Sequence, residues 1–155
     1  MMVDLLQKDS TVKIKEAQNQ ELLEADTLYI CPPNKNIIIE GERIIIMEAK
    51  QLTYGPKPSI NILFESIAAN KGNKAIGIIV SGTGSDGSAG IRSIKAEGGF
   101  TIVQQPQNAK YDGMPNSAIN TGNVDLILDV ELMGKEIVEL LKYPDRKESL
   151  NNIDY

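Results

Sequence analysis

From Ala75 onward, apolar runs of strand length alternate with stretches of helical spacing. Residues 76–80 read as a buried strand, 81–87 as a glycine-rich turn, and 88–97 as a helix carrying Ile91 and Ile94 and closed by Gly98-Gly99. Residues 100–103 form a second strand, 104–113 a polar loop, and 114–120 a short helix with Pro115 in its first turn, closed by Gly122. A third strand over 124–128 and a last helix over 131–141 follow. Strands separated by helices and short connections run parallel, with right-handed crossovers. The expected fold is therefore α/β, a mainly parallel sheet flanked by helices in a Rossmann-like three-layer arrangement.

The upstream half adds shorter elements. Residues 11–17 alternate Val12 and Ile14 with Lys13 and Lys15, the period of a half-exposed strand. A polar loop over 16–26 leads to a short strand at 27–31, stopped by Pro32-Pro33. Two apolar runs, 37–40 and 43–48, flank Gly41-Glu42, a two-residue signal for an inserted antiparallel hairpin of type II′ or a related turn. After a loop over 49–58, Ser59 stands as N-cap before Ile60, Leu63, Phe64 and Ile67. Those spacings predict a helix to about Lys71, stopped by Gly72. Residues 1–8 read as the last turns of a helix, and the polar tail after Pro144 as frayed.

The length of 155 residues suits one domain rather than two. No apolar run approaches a membrane span and no export signal opens the chain. A single cysteine, Cys31, excludes an internal disulfide framework and fits a cytoplasmic setting. A net charge of −5 without a basic block argues against nucleic acid or an anionic membrane as partner. The chain has no histidine. A Cys/His zinc site is thereby excluded, as is a Ser-His-Asp or Cys-His triad complete within these residues.

The turn Ser81-Gly82-Thr83-Gly84-Ser85-Asp86-Gly87 admits three readings. It matches G-x-G-x-x-G, the approach of a pyrophosphate to helix amides, but that fingerprint wants an acidic residue roughly 20 positions on. Gln104-Gln105 stand at the end of the next strand, and Asp86 itself would repel a phosphate. The second reading is a tight strand-to-helix turn in which Asp86 caps the helix that follows. A carboxylate at this edge of a parallel sheet also stands where α/β folds bind ligands, and can orient an imidazole.

The third reading comes from four motifs in order. Tyr29-Ile30-Cys31-Pro32-Pro33 resembles the Y-I-A-P-P strand of CheB-type chemotaxis methylesterases. The stretch Lys57-Pro58-Ser59-Ile60-Asn61-Ile62-Leu63-Phe64-Glu65-Ser66 resembles that family's R-P-S-V-D-V-L-F-x-S. Residues 78–90 resemble I-L-T-G-M-G-x-D-G-A-x-G, and 105–119 match Q-x-P-x-x-A-x-x-x-G-M-P-x-A-I in spacing. The resemblance runs from about Val12 to Leu141. It implies a protein-glutamate methylesterase that hydrolyses glutamyl methyl esters on chemoreceptor cytoplasmic domains, with a Ser-His-Asp triad and neither metal nor organic cofactor. Asp86 would be the triad aspartate, Thr83 and Gly84 would line the active site and offer backbone amides to an oxyanion, and Met114 and Pro115 would wall the cleft.

The resemblance also implies what these residues do not carry. The family's serine and histidine lie on its first strands, ahead of the matching region, and Ser59, Ser81 and Ser85 stand outside its nucleophile turn. The expectation is a partial methylesterase domain over 1–143 with a tail over 144–155, inactive alone by the family mechanism. Thr83 replaces the family's usual Met, and Asn116 a frequent basic residue. Expected partners are methylated chemoreceptors and a missing N-terminal segment, receiver or methyltransferase domain. Open sheet edges favour a homo-oligomer or a rearranged sheet. The alternative is a non-catalytic module that binds a receptor or partner domain.

Other clusters read as structural. Glu40, Glu42 and Glu48 alternate on the hairpin as a solvated face, Asp125, Asp129 and Glu131 are expected to cap the last helix, and Cys31 reads as a buried thiol.

Overall fold

The computed structural model describes residues 2–48 and 58–143. The loop over 49–58 and the tail therefore lie almost wholly outside the described residues. A short helix, α1 (Met2–Gln7), precedes β1 (Lys13–Glu16) and β2 (Thr27–Ile30), which pair in parallel. The segment between these strands lies along the hairpin: Gln20 and Leu23 donate to the Ile44 and Glu42 carbonyls, and Ile44 donates to that of Glu21. The polar loop is thus a paired edge, which its composition does not show.

The hairpin joins β3 (Asn36–Glu40) to β4 (Arg43–Met47) antiparallel, as its Gly-X signal predicts. Gly41 has φ +58° and Glu42 a negative φ, the pattern of a II′ turn. Its buried residues Ile37, Ile39 and Ile44 pack with Ala17, Leu63 and Ile67.

Helix α2 (Ile60–Lys71) starts where expected. Ser59 accepts from the Ile62 amide, and Gly72 closes the helix at φ +52°. Such a cap contributes about 1 kcal/mol. Asn70 and Ser66 tie α2 to β3 through the Gly41 and Ile39 backbone groups.

The remaining chain follows the alternating order: β5 (Ile76–Ile79), α3 (Ser88–Ala96), β6 (Phe100–Gln104), α4 (Gly113–Asn120), β7 (Leu126–Leu128) and α5 (Val130–Lys142). The three strands form a parallel sheet in the order β5-β6-β7. β6 is buried along its whole length, as a central strand covered on both faces must be. Ile79, Ile91, Val103 and Ala118 make one core beside it, and Phe100, Ile102, Met133 and Leu140 another. Two parallel sheets, an antiparallel hairpin and flanking helices bear out the α/β expectation. Among the described residues the parallel strands fall into two separate sheets, and the free edge of β5 pairs with no strand.

One sequence expectation about α5 is corrected. Asp129 occupies its N-cap position but makes no capping bond there; it accepts from the Asn108 side-chain amide instead. Asp125 lies away from the helix and is nearly buried, holding Lys95 Nζ and the Thr101 amide. No described helix is long and apolar enough to cross a membrane.

Candidate functional site

The glycine-rich turn leaves the C-terminal end of β5, where open parallel sheets place their ligands. Gly84 and Gly87 have φ +81° and +97°, so the turn needs residues without a Cβ at both places. Gly82 permits a close approach: a Cβ there would lie 2.4 Å from Met114 Sδ. Gly82 donates to the Tyr111 carbonyl and accepts from the Met114 amide, at 3.0 and 2.9 Å. Ser81 adds a third tie, accepting from the Tyr111 amide at 2.9 Å. The loop before α4 is therefore mated to the turn, and Met114 stands against it as a wall.

Asp86 corrects the second sequence reading. It does not cap the helix that follows; α3 begins at Ser88, and its N-cap residue, Gly87, makes no side-chain capping bond. The Asp86 carboxylate reaches back to α2 instead. Oδ2 accepts from the Ile60 amide at 2.9 Å and Oδ1 from the Asn61 amide at 3.1 Å. The positive end of α2 faces this half-buried anion. Asn61 Oδ1 in turn accepts from the Gly87 and Gly90 amides, both at 2.9 Å, and so caps α3. Sequence reasoning missed Asn61: its signal is a side chain at the second position of α2, and its partners lie 26 and 29 residues away.

Thr83 and Gly84 are exposed at the tip of the turn, and neither amide donates to a described residue. Pro115 is fully buried in the first turn of α4 and backs the wall that Met114 presents. The structure thus brings Thr83, Gly84, Asp86 and Met114 to one turn-and-loop unit, with Pro115 beneath it. Gln104, where a dinucleotide fold wants an acid, is buried and ties the Ser81 amide to the Asn108 carbonyl.

Other candidates fall away on geometry. Burial pushes the Cys31 thiol above its ordinary range, with Glu16 adding to the effect, so it is a poor nucleophile. Glu42 and Glu48 pair with Lys71 and Lys35 at the surface. A hydrogen bond from Lys15 to Glu21 raises the lysine, while burial of Glu21 opposes but does not overcome the bonds from Lys15 and Gln18 that lower it. This pair lies in the β1 region, not at the turn. No group of three or more metal-ligating side chains occurs among the described residues.

Comparison with known proteins gives the family and the shared fold. A Leptospira interrogans protein with the provisional name protein-glutamate methylesterase/protein-glutamine glutaminase is 35% identical over 136 residues, 88% of this chain and 70% of that protein. Protein-glutamate methylesterase/protein-glutamine glutaminase 2 of Nitratidesulfovibrio vulgaris is 36% identical over 132 residues, 82% of this chain and 35% of the relative, so that relative is much longer. The crystal structure of the Thermotoga maritima CheB methylesterase catalytic domain superposes with a TM-score of 0.80 at 24% identity, covering 90% of this chain and 75% of that one, and shows the shared fold. Residues 1–137 match the CheB methylesterase family, and the chain belongs to it.

Proposed function

We propose that the chain is part of a protein-glutamate methylesterase that acts on methylated chemoreceptors in the cytoplasm, and that Asp86 is its orienting aspartate. The observation that carries this reading is the fixed carboxylate at the end of β5: two α2 amides hold it while the exposed Thr83–Gly84 tip stands beside it. A carboxylate held this way costs little reorganisation when it binds an imidazole N–H. The imidazole must come from outside these 155 residues, because the sequence contains no histidine, and the family resemblance puts the nucleophilic serine outside them as well.

In the assembled site a serine Oγ would attack the glutamyl ester carbonyl as the histidine takes its proton. Asp86 would hold the histidine tautomer and stabilise the imidazolium. The Thr83 and Gly84 amides, with no partner among the described residues, would donate to the oxyanion. Collapse of the tetrahedral intermediate would return the proton to the methoxy group and release methanol, and water would then hydrolyse the acyl-enzyme. Domain limits of 1–143, with 144–155 as a tail, belong to the same proposal.

The test is methanol release from a methyl-labelled receptor. The 155-residue chain alone is expected to release none. The same chain joined to the part of the Leptospira relative that it does not match, where the resemblance implies the serine and histidine, is expected to release it. Release by the chain alone would overturn the borrowed imidazole.

A second reading is favoured by one observation. Helix α1 buries none of its residues and leaves Met2 and Leu5 at 59% and 66% exposure. Such a face suits a module that holds a partner domain without catalysis. Stable capture of a receptor fragment by a chain that stays inactive even with the added part would favour it.

A further inference from the structure

Next to the Asp86 turn lies a groove of about 470 Å³ between the starts of α2 and α3 and the end of α4. Asn61, Ser85, Ser88, Arg92, Ser117 and Asn120 line it. Its chemistry is unlike that of the whole chain. The protein has 21 acidic residues and a net charge of −5, yet no described lining residue is acidic and the one charged group is the Arg92 guanidinium. Arg92 is exposed and makes no ion pair or hydrogen bond with a described residue.

Ser88 supplies an independent observation. Its Oγ is buried and has no hydrogen-bond partner. A hydroxyl left in that state is costly, and turning about χ1 to meet an acceptor in the groove would remove the cost. Ser88 is the first residue of α3, so the positive end of that helix adds to the Arg92 charge. Asn61 spends its Oδ1 on the α3 amides, and its Nδ2 donates to no described residue. The Asp86 carboxylate is turned toward the α2 amides. Ser117 Oγ already donates to the Gly84 carbonyl, so the free capacity of the groove is that of Asn61 Nδ2, Ser88 Oγ and the unpaired Arg92 guanidinium.

We infer that this groove binds the side-chain carboxylate of an acidic residue on a polypeptide, next to the glutamyl ester held at the site that Asp86 would help to form. Its placement relative to the substrate rests on the methylesterase reading; the binding itself does not. With a carboxylate a guanidinium forms an ion pair and a serine hydroxyl a charge-assisted hydrogen bond, whereas with the neutral amide of glutamine only the guanidinium carries charge and the ion pair is lost. The groove would thus favour ester groups flanked by free glutamates.

The experiment titrates the full chain with a capped glutamate-rich peptide, its all-glutamine counterpart and inorganic phosphate, following backbone amide shifts. The glutamate peptide is expected to move Ala89, Arg92 and Ser117. Arg92→Gln is expected to weaken it about tenfold, as loss of a charge-assisted bond does. Ser88→Ala is expected to weaken it a few-fold without lowering the melting temperature, since the hydroxyl has no partner to lose. Equal binding of the two peptides, no binding, or indifference to Arg92→Gln would overturn the inference. Phosphate binding as tightly, with the same Arg92 dependence, would make this a free-anion site and overturn the polypeptide assignment. No ester is cleaved in these titrations, so their failure leaves the methylesterase reading standing, and a failed esterase assay leaves the binding result standing.

Discussion

Asp86 and Asn61 cap each other's helices: the carboxylate of Asp86 accepts from the first two amides of α2, and the side-chain carbonyl of Asn61 accepts from two amides at the start of α3. Two helix N-termini meet here, each with unsatisfied donors, and one anion and one neutral amide divide them. Asp86 is therefore a structural residue whatever else it does. Its substitution tests stability before it tests catalysis.

Asp86→Ala is expected to lower unfolding stability by about 1–2 kcal/mol, the range for a lost N-cap. Asp86→Asn keeps one acceptor and should lose less. Urea titration read by circular dichroism measures both, and an unchanged midpoint for Asp86→Ala would remove the capping role.

Two glycines should respond with opposite signs to the same substitution. A Cβ at Gly90 would lie 2.6 Å from Phe64 Cβ, close to the α2 backbone, so Gly90→Ala forces α2 and α3 apart. Overpacking of this kind costs about 1–3 kcal/mol. Gly134 lies inside α5 with open space around it, and Gly134→Ala should stabilise by about 0.5–1 kcal/mol. Melting temperatures moving in the same direction would contradict the packing.

Asp125 has a side chain only 6% exposed, and it holds Lys95 Nζ together with the Thr101 amide and hydroxyl. Asp125→Ala removes the acceptor of the Thr101 amide near the centre of the sheet and the buried half of the Lys95 ion pair, while the Thr101 hydroxyl keeps the Asn123 carbonyl. A loss of about 3 kcal/mol is expected by denaturant titration. A loss below the error of the titration would mean that water replaces the carboxylate.

Cys31 gives the pH prediction. Its thiol is pushed up by burial in the folded state, so the unfolded chain releases that proton first. The thiol's contribution to stability is complete below the unfolded value of about 8.5 and is lost as pH rises through the folded value. Alkylation by iodoacetamide at mildly alkaline pH should be slower in the native protein than after unfolding, and equal rates would show an accessible thiolate.

What was legible in the sequence divides by distance along the chain. The spacing of Ile60, Leu63, Phe64 and Ile67 placed α2 correctly, and Gly41-Glu42 placed the hairpin, because both signals are local. The alternation after Ala75 placed the parallel sheet, because connection type dictates strand direction. Capping was misassigned wherever the partner was remote. Local spacing offers Asp86 only the helix it precedes, whereas its donors lie 26 and 25 residues back. Asp125 was expected at α5 for the same reason, and its ties run to Thr101 and Lys95 across the sheet. The groove at Arg92 left no local mark, since its residues come from three helices and a turn.

The central claim is that Asp86 orients an imidazole contributed from outside these residues. Its most direct test compares methanol release by the chain joined to the unmatched part of the Leptospira relative with release by the same protein carrying Asp86→Asn, both shown to be folded. An orienting aspartate predicts a fall of about 10⁴-fold in kcat, with stability reduced only by the partial loss of a cap. Equal rates would contradict the account and leave Asp86 as a helix cap alone.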